Sequence, residues 1–145
     1  MVNSVSDKFS PLEMRRRAFL RISNCMYSMW EETGRSDTRL LMEPLIPNSF
    51  VIAGASRAGK EYKEHVVPRV LICNRAHEMF ESGSTIPDVA DFISEYLKVV
   101  LISRGEQYHL DVTLGLKNKM PEAWTFAGGG VYDRLIAAGI EFDLF

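Results

Sequence analysis

From Leu12 to Met29 the apolar residues fall at helical spacing: Leu12, Ala18, Phe19, Ile22, Cys25, Met26 and Met29 share one stripe. Ser10 suits the cap of that helix, Pro11 its first position and Gly34 its stop. Residues 1–10 are polar and are expected to form a flexible N-terminus. A second short helix is expected from Ser36 through Leu45, ended by the Pro47-Asn48 turn. The pattern then changes. Ser49 to Ala53 is rich in β-branched and aromatic residues and predicts a strand. Gly54 to Gly59 predicts a glycine-rich loop. Tyr62 to Val67 predicts extended chain, because Pro68 disfavours helix at the residue before it.

Val70 to Phe80 predicts a helix ending near Gly83. Thr85-Ile86-Pro87-Asp88 opens another, with Val89, Ala90, Phe92, Ile93 and Leu97 on its apolar face. LKVVLIS, Leu97 to Ser103, is the strongest strand signal in the chain. Ser103-Arg104-Gly105-Glu106 matches the capping box, so a helix should start there and end at Gly115. Met120–Trp124 and Ala127–Gly130 predict loop, and Val131 to Ala138 a last short helix closed by Gly139. Few strands and many helices predict an α+β fold: a small β-hairpin or ββα element packed in a mainly helical single domain. On this reading the domain covers residues 11–145, with the ββα-like element at 50–115 and a helical insertion at 69–96.

The length of 145 residues suits one domain. A net charge of −2 is not that of a nucleic-acid coat, although binding depends on where charges sit. Arg15, Arg16, Arg17 and Arg21 share the first helix, and consecutive helical residues cannot all be buried. A solvated face is the expectation, with a phosphate-facing patch as the alternative. The two cysteines, Cys25 and Cys73, have no C-x-x-C partner and read as buried free thiols in a reducing compartment. No apolar run is long enough to span a membrane, and the N-terminus lacks the pattern of a secretory signal. The expectation is a cytoplasmic protein.

Two neighbouring stretches suggest chemistry. Ser49 to Lys60, SFVIAGASRAGK, comes one residue from a phosphate-gripping loop. However, Glu61 stands where a hydroxyl should hold magnesium, and Pro68 interrupts the helix that should follow. A mobile basic turn carrying Arg57 and Lys60 fits better, and a nucleotide-binding protein is the weakest of the functional readings.

Immediately downstream, Glu64-His65-Val66-Val67-Pro68 resembles the opening of the His-Me finger (HNH-like) nucleases, in which an acid and a histidine close a strand. LKVVLISRGEQYHLD resembles the family's second half, a strand running into a helix. Lys98 stands where the family has an asparagine, and the stretch from Arg69 to Tyr96 replaces a short connection. The resemblance implies a metal-dependent hydrolase of phosphodiester bonds, or a degenerate copy that keeps the fold for binding. It implies His65 as general base and Glu64 and Gln107 as ligands of Mg²⁺ or Mn²⁺. Glu106 and His109 are further ligand candidates beside Gln107, and Arg57, Lys60 and Lys63 the candidate phosphate contacts. His77 reads as an ordinary helix residue. Trp30, Trp124 and Phe126 read as core or rim, with base stacking as the alternative.

Two functional classes stay open. One is an HNH-like nuclease with a nucleic-acid partner. The other is a non-catalytic protein-interaction module, such as an inhibitor from a phage or mobile element, with a protein partner and no metal.

Overall fold

A computed structural model describes residues 8–145, so most of the expected flexible segment 1–10 lies outside the described residues. The chain is a mixed α+β single domain built on one hydrophobic core.

Helix α1 (Pro11–Thr33) begins as its sequence signals require. Ser10 Oγ accepts from the Glu13 N–H at 3.1 Å, and Gly34 ends the helix in the left-handed conformation. Ala18, Phe19, Ile22, Ser23 and Met26 form its buried face. Leu12 (76% exposed), Met29 and Cys25 fall outside that face. The expectation of two buried thiols is therefore corrected: Cys73 is buried, but Cys25 lies on the flank of the stripe and is exposed. The arginines divide as well. Arg15 turns inward, donating to Phe50 O and Ser94 Oγ, while Arg16 pairs with Glu13 and Arg17 lies over Phe9. Between Pro44 and Pro47 no α-helix can form, and the expected second helix is reduced to a 3-10 turn at Thr38–Leu41.

Four strands form one sheet: β1 (Ile52–Ser56), β2 (Tyr62–His65), β3 (Val99–Ile102) and β4 (Phe142–Leu144), in the order β2-β3-β1-β4. β1 starts later than expected, because Asn48–Phe50 is a 3-10 turn, and it runs through Gly54. That glycine is required: a Cβ there would collide with the carbonyl of Asp143 on β4. β4 carried no sequence signal and extends the sheet beyond a hairpin.

β1 and β2 are not neighbours. β3 lies between them, parallel to β1 and antiparallel to β2, with Glu64 opposite Val100 and His65 opposite Val99. Helices α2 (Arg69–Glu81) and α3 (Ile86–Tyr96) form the connection from β2 to β3, and α3 packs on α1. Thr85 and Asp88 complete a capping box on α3.

Ser103 and Glu106 form the expected capping box on helix α4 (Arg104–Tyr108). This helix then widens into a π-helical turn, His109–Thr113, before Gly115 takes a positive φ. The last helix, α5 (Asp133–Ala137), ends at Gly139, also at positive φ, and leads into β4. Among the described residues no helix is long and apolar enough to cross a membrane.

Candidate functional site

β2 ends where α2 begins, and Pro68 is the joint. No side chain caps α2; the Leu71 N–H donates to Pro68 O at 3.0 Å, which leaves the N–H groups of Arg69 and Val70 at the positive end of the helix dipole. Pro68, Arg69 and Val70 line a pocket of about 200 Å³ together with Glu64, Asp111, Lys117, Asn118 and Arg134. Five chain segments meet here: the 3-10 turn at Thr38, β2, the start of α2, the π turn with the loop after it, and α5.

Arg134 holds these segments together. It is buried, yet each guanidinium nitrogen has a partner: Nη2 donates to Glu64 Oε2 at 3.1 Å, Nη1 to His65 O at 3.2 Å and Nε to Leu116 O at 3.0 Å. The π turn matters for the same reason. Its wider backbone swings Asp111 into the pocket, where Asp111 Oδ2 accepts from Gln107 Nε2 at 3.5 Å. Sequence reading missed Arg134, Asp111, Arg69 and Lys117.

Two atoms in this region are shut off from solvent without a hydrogen-bond partner: Glu64 Oε1 and Arg69 Nη1. An orphaned polar atom costs about 1–3 kcal/mol, so its retention calls for a cause. Burial pushes the Glu64 carboxyl up to about 7; Arg134 opposes this and the nearby Asp111 adds to it. Burial, reinforced by Arg69 and Arg134, pushes the His65 imidazole down to about 4, so the ring is neutral at neutral pH. Burial also lowers the Arg134 pKa, against the attraction of Glu64 and Asp111.

Strand alternation separates the two residues of the EH pair. Side chains along β2 point to opposite faces in turn, so Glu64 goes with Tyr62, and His65 goes with Lys63. Lys63 and His65 accordingly line a second cavity of about 500 Å³ against Leu41–Val51, which Glu64 does not reach. His65 lines the Glu64 pocket as well, and its carbonyl is held there by Arg134. Tyr62, His65 and Arg69 line both cavities.

The ligand set implied by the family resemblance is not assembled. Glu106 Oε1 accepts from the Ser103 N–H and Oε2 from Ser56 Oγ, each at 2.9 Å, so its carboxylate serves the cap and β1. Gln107 Oε1 accepts from Arg104 at 3.2 Å, and His109 is an exposed residue at the start of the π turn. Among the described residues no group of three His, Cys, Asp or Glu side chains is placed to hold a metal ion. Glu64, Glu106, Gln107 and His109 as arranged do not fit Mg²⁺ or Mn²⁺, and the acid that does share the pocket with Glu64 is Asp111.

The implied phosphate contacts also lie elsewhere. Arg57 pairs with Asp143 at 2.9 Å and Glu141 at 3.7 Å, which ties it to β4. Lys60 is exposed and Lys63 is on the His65 face. Lys60 leads into a strand, so the phosphate-loop reading lacks the helix it needs. Lys98, at the family's asparagine position, donates to Ser94 O and Glu95 O at the end of α3. His77 is bonded to Ser36 Oγ at 2.6 Å, and Trp30 packs with Tyr27 and Phe80; both are structural.

No family model, curated protein or solved structure matches this chain.

Proposed function

We propose that the pocket at the start of α2 binds a phosphoryl group. The observation that carries this reading is the convergence of an uncapped helix N-terminus with Arg69, Lys117 and Arg134 in one small pocket. A helix N-terminus and a guanidinium fork both present several N–H donors, which suits a tetrahedral anion better than a single cation would. Glu64 does not contradict the reading. Arg134 bonds one oxygen, and because burial raises the carboxyl to about 7, the protonated fraction present at neutral pH can donate to a ligand oxygen from the other.

Within this proposal, phosphodiester hydrolysis is the reaction that the EHVVP resemblance suggests, with His65 as the base. Its neutral imidazole can accept a proton, and Arg69 lines both its cavity and the anion pocket. Against it stands the placement of the ring on the opposite face from Glu64. Binding and cleavage are therefore tested separately. Calorimetry with inorganic phosphate should give saturable binding that Arg69→Gln weakens. Plasmid DNA and RNA, with and without Mg²⁺ or Mn²⁺, should be cut by the parent chain and not by His65→Ala. Binding without cleavage under any of these conditions would leave a phosphate-recognition protein and remove the nuclease. A cytoplasmic site of action is part of the same proposal, supported by the free thiols Cys25 and Cys73.

The second reading, a non-catalytic interaction module, is favoured by one feature. β4 is an edge strand, and the exposed Leu144 and Phe145 stand at its end. A stoichiometric protein complex lost on Leu144→Lys, with phosphate binding unchanged, would support it.

A further inference from the structure

A larger groove adjoins the phosphate pocket. It has a volume of about 650 Å³ and lies between α2 and the segment from Asn118 to Ala127. Asn118 lines both spaces. α2 also continues from one to the other: Arg69 and Val70 face the pocket, while Leu71, Asn74 and Arg75 face the groove.

The groove is aromatic at its base and polar at its rim. Trp124 and Phe126 pack edge to face at 4.9 Å, and Tyr96 packs edge-on against both. The indole is fixed in place. Its Nε1 donates to Gly130 O at 2.9 Å, and Gly129 lies so close that a Cβ there would run into the ring. Tyr96 Oη donates to Phe126 O at 2.7 Å and fixes the second ring's segment. Rigid aromatic surface lowers the entropy lost on binding. Around it stand Asn74 and Asn118, whose amides both donate and accept, the cation Lys119, and the ion pair of Arg75 with Glu78.

We infer that this groove takes the base of a nucleotide whose phosphate occupies the Arg69–Lys117–Arg134 pocket. The inference rests on the phosphoryl reading above and names the substrate class for it. A flat heteroaromatic ring with edge donors and acceptors matches an aromatic floor with amides at its rim. The shared Asn118 puts the two parts of one ligand side by side. Lys119 adds the positive charge that suits a phosphate-bearing ligand, while Arg75 and Glu78 pair with each other at 3.1 Å on the same rim and add none on balance.

The test compares ligands that share the phosphate and differ in the base. Calorimetry would measure inorganic phosphate, ribose 5-phosphate, AMP, GMP, CMP and UMP on the full chain, then on Trp124→Leu and Asn74→Ala. Asn74 is exposed on α2, so its replacement leaves the core intact even if Trp124→Leu disturbs the loop. At least one nucleotide should bind about tenfold tighter than ribose 5-phosphate. That advantage should disappear in Trp124→Leu and shrink in Asn74→Ala, with affinity for inorganic phosphate unchanged in both. Nucleotides binding no tighter than ribose 5-phosphate would overturn the base site while leaving the phosphate pocket standing. An advantage that survives both variants would also overturn it. Failure of every ligand, phosphate included, would overturn both.

Discussion

Arg134 Nη2 donates to Glu64 Oε2 at 3.1 Å, joining the last helix to an edge strand through two side chains that are almost fully buried. The same guanidinium bonds the main chain at His65 and Leu116, so the pair forms part of the pocket's frame.

Removing one partner leaves the other buried and unpaired. Arg134→Ala should destabilise the fold by about 3–5 kcal/mol. The double variant Glu64→Leu with Arg134→Met should recover much of that loss, because apolar replacement of both charges is often neutral. Urea denaturation of Glu64→Leu, Arg134→Met and the double variant measures this. Additive losses would mean that the pair is not coupled.

Glu64 and His65 respond to pH in opposite directions. The Glu64 pKa is raised from 4.5 to about 7, so its contribution to stability is fully present below pH 4.5 and is lost as pH rises through about 7. The His65 pKa is lowered from 6.5 to about 4, so its contribution is present above pH 6.5 and is lost as pH falls through about 4. The two slopes oppose each other between about pH 4.5 and 6.5, so these residues should add little net pH dependence there. Compared with the parent, Glu64→Gln should make stability rise more steeply with pH across that window. His65→Asn should make it fall. Melting temperatures from pH 4.5 to 7.5 give the comparison, and equal profiles for the three proteins would rule out the assigned shifts.

Gly54 allows β4 to close on β1. Gly54→Ala places a methyl group against the Asp143 carbonyl and should cost about 1–3 kcal/mol, read as a lower midpoint in urea. Hydrogen exchange should locate the loss in β4, at the Ser56–Phe142 and Gly54–Leu144 pairings. Unchanged protection there would mean that the strands move apart without cost.

These cases show what the sequence could express. Signals carried within a few residues were legible: Ser10-Pro11 and Gly34 around α1, Thr85 with Asp88, Ser103 with Glu106, and Gly115 and Gly139 as stops. Each depends on the chain's own neighbours and needs no tertiary partner. β4 and the true extent of β1 were not legible, because Phe142–Leu144 becomes a strand only against β1, and Gly54 fits a strand only because Asp143 approaches it. The site divides in the same way. Glu64 and His65 stood out as a local pair, but of the two only His65 also borders the second cavity, a difference that appears only in the fold. Their working neighbours, Arg69, Asp111, Lys117 and Arg134, come from segments that meet only in the fold. A π turn has no strong sequence signature, so the placement of Asp111 could not be read from the helix pattern.

The central claim is that the start of α2 binds a phosphoryl group through Arg69. Calorimetric titration of inorganic phosphate into the parent chain and into Arg69→Gln tests it most directly, with circular dichroism showing that both are folded. The account predicts saturable binding by the parent, weakened about tenfold or more in the variant. No saturable binding by the parent, or equal affinity in the two, would contradict it.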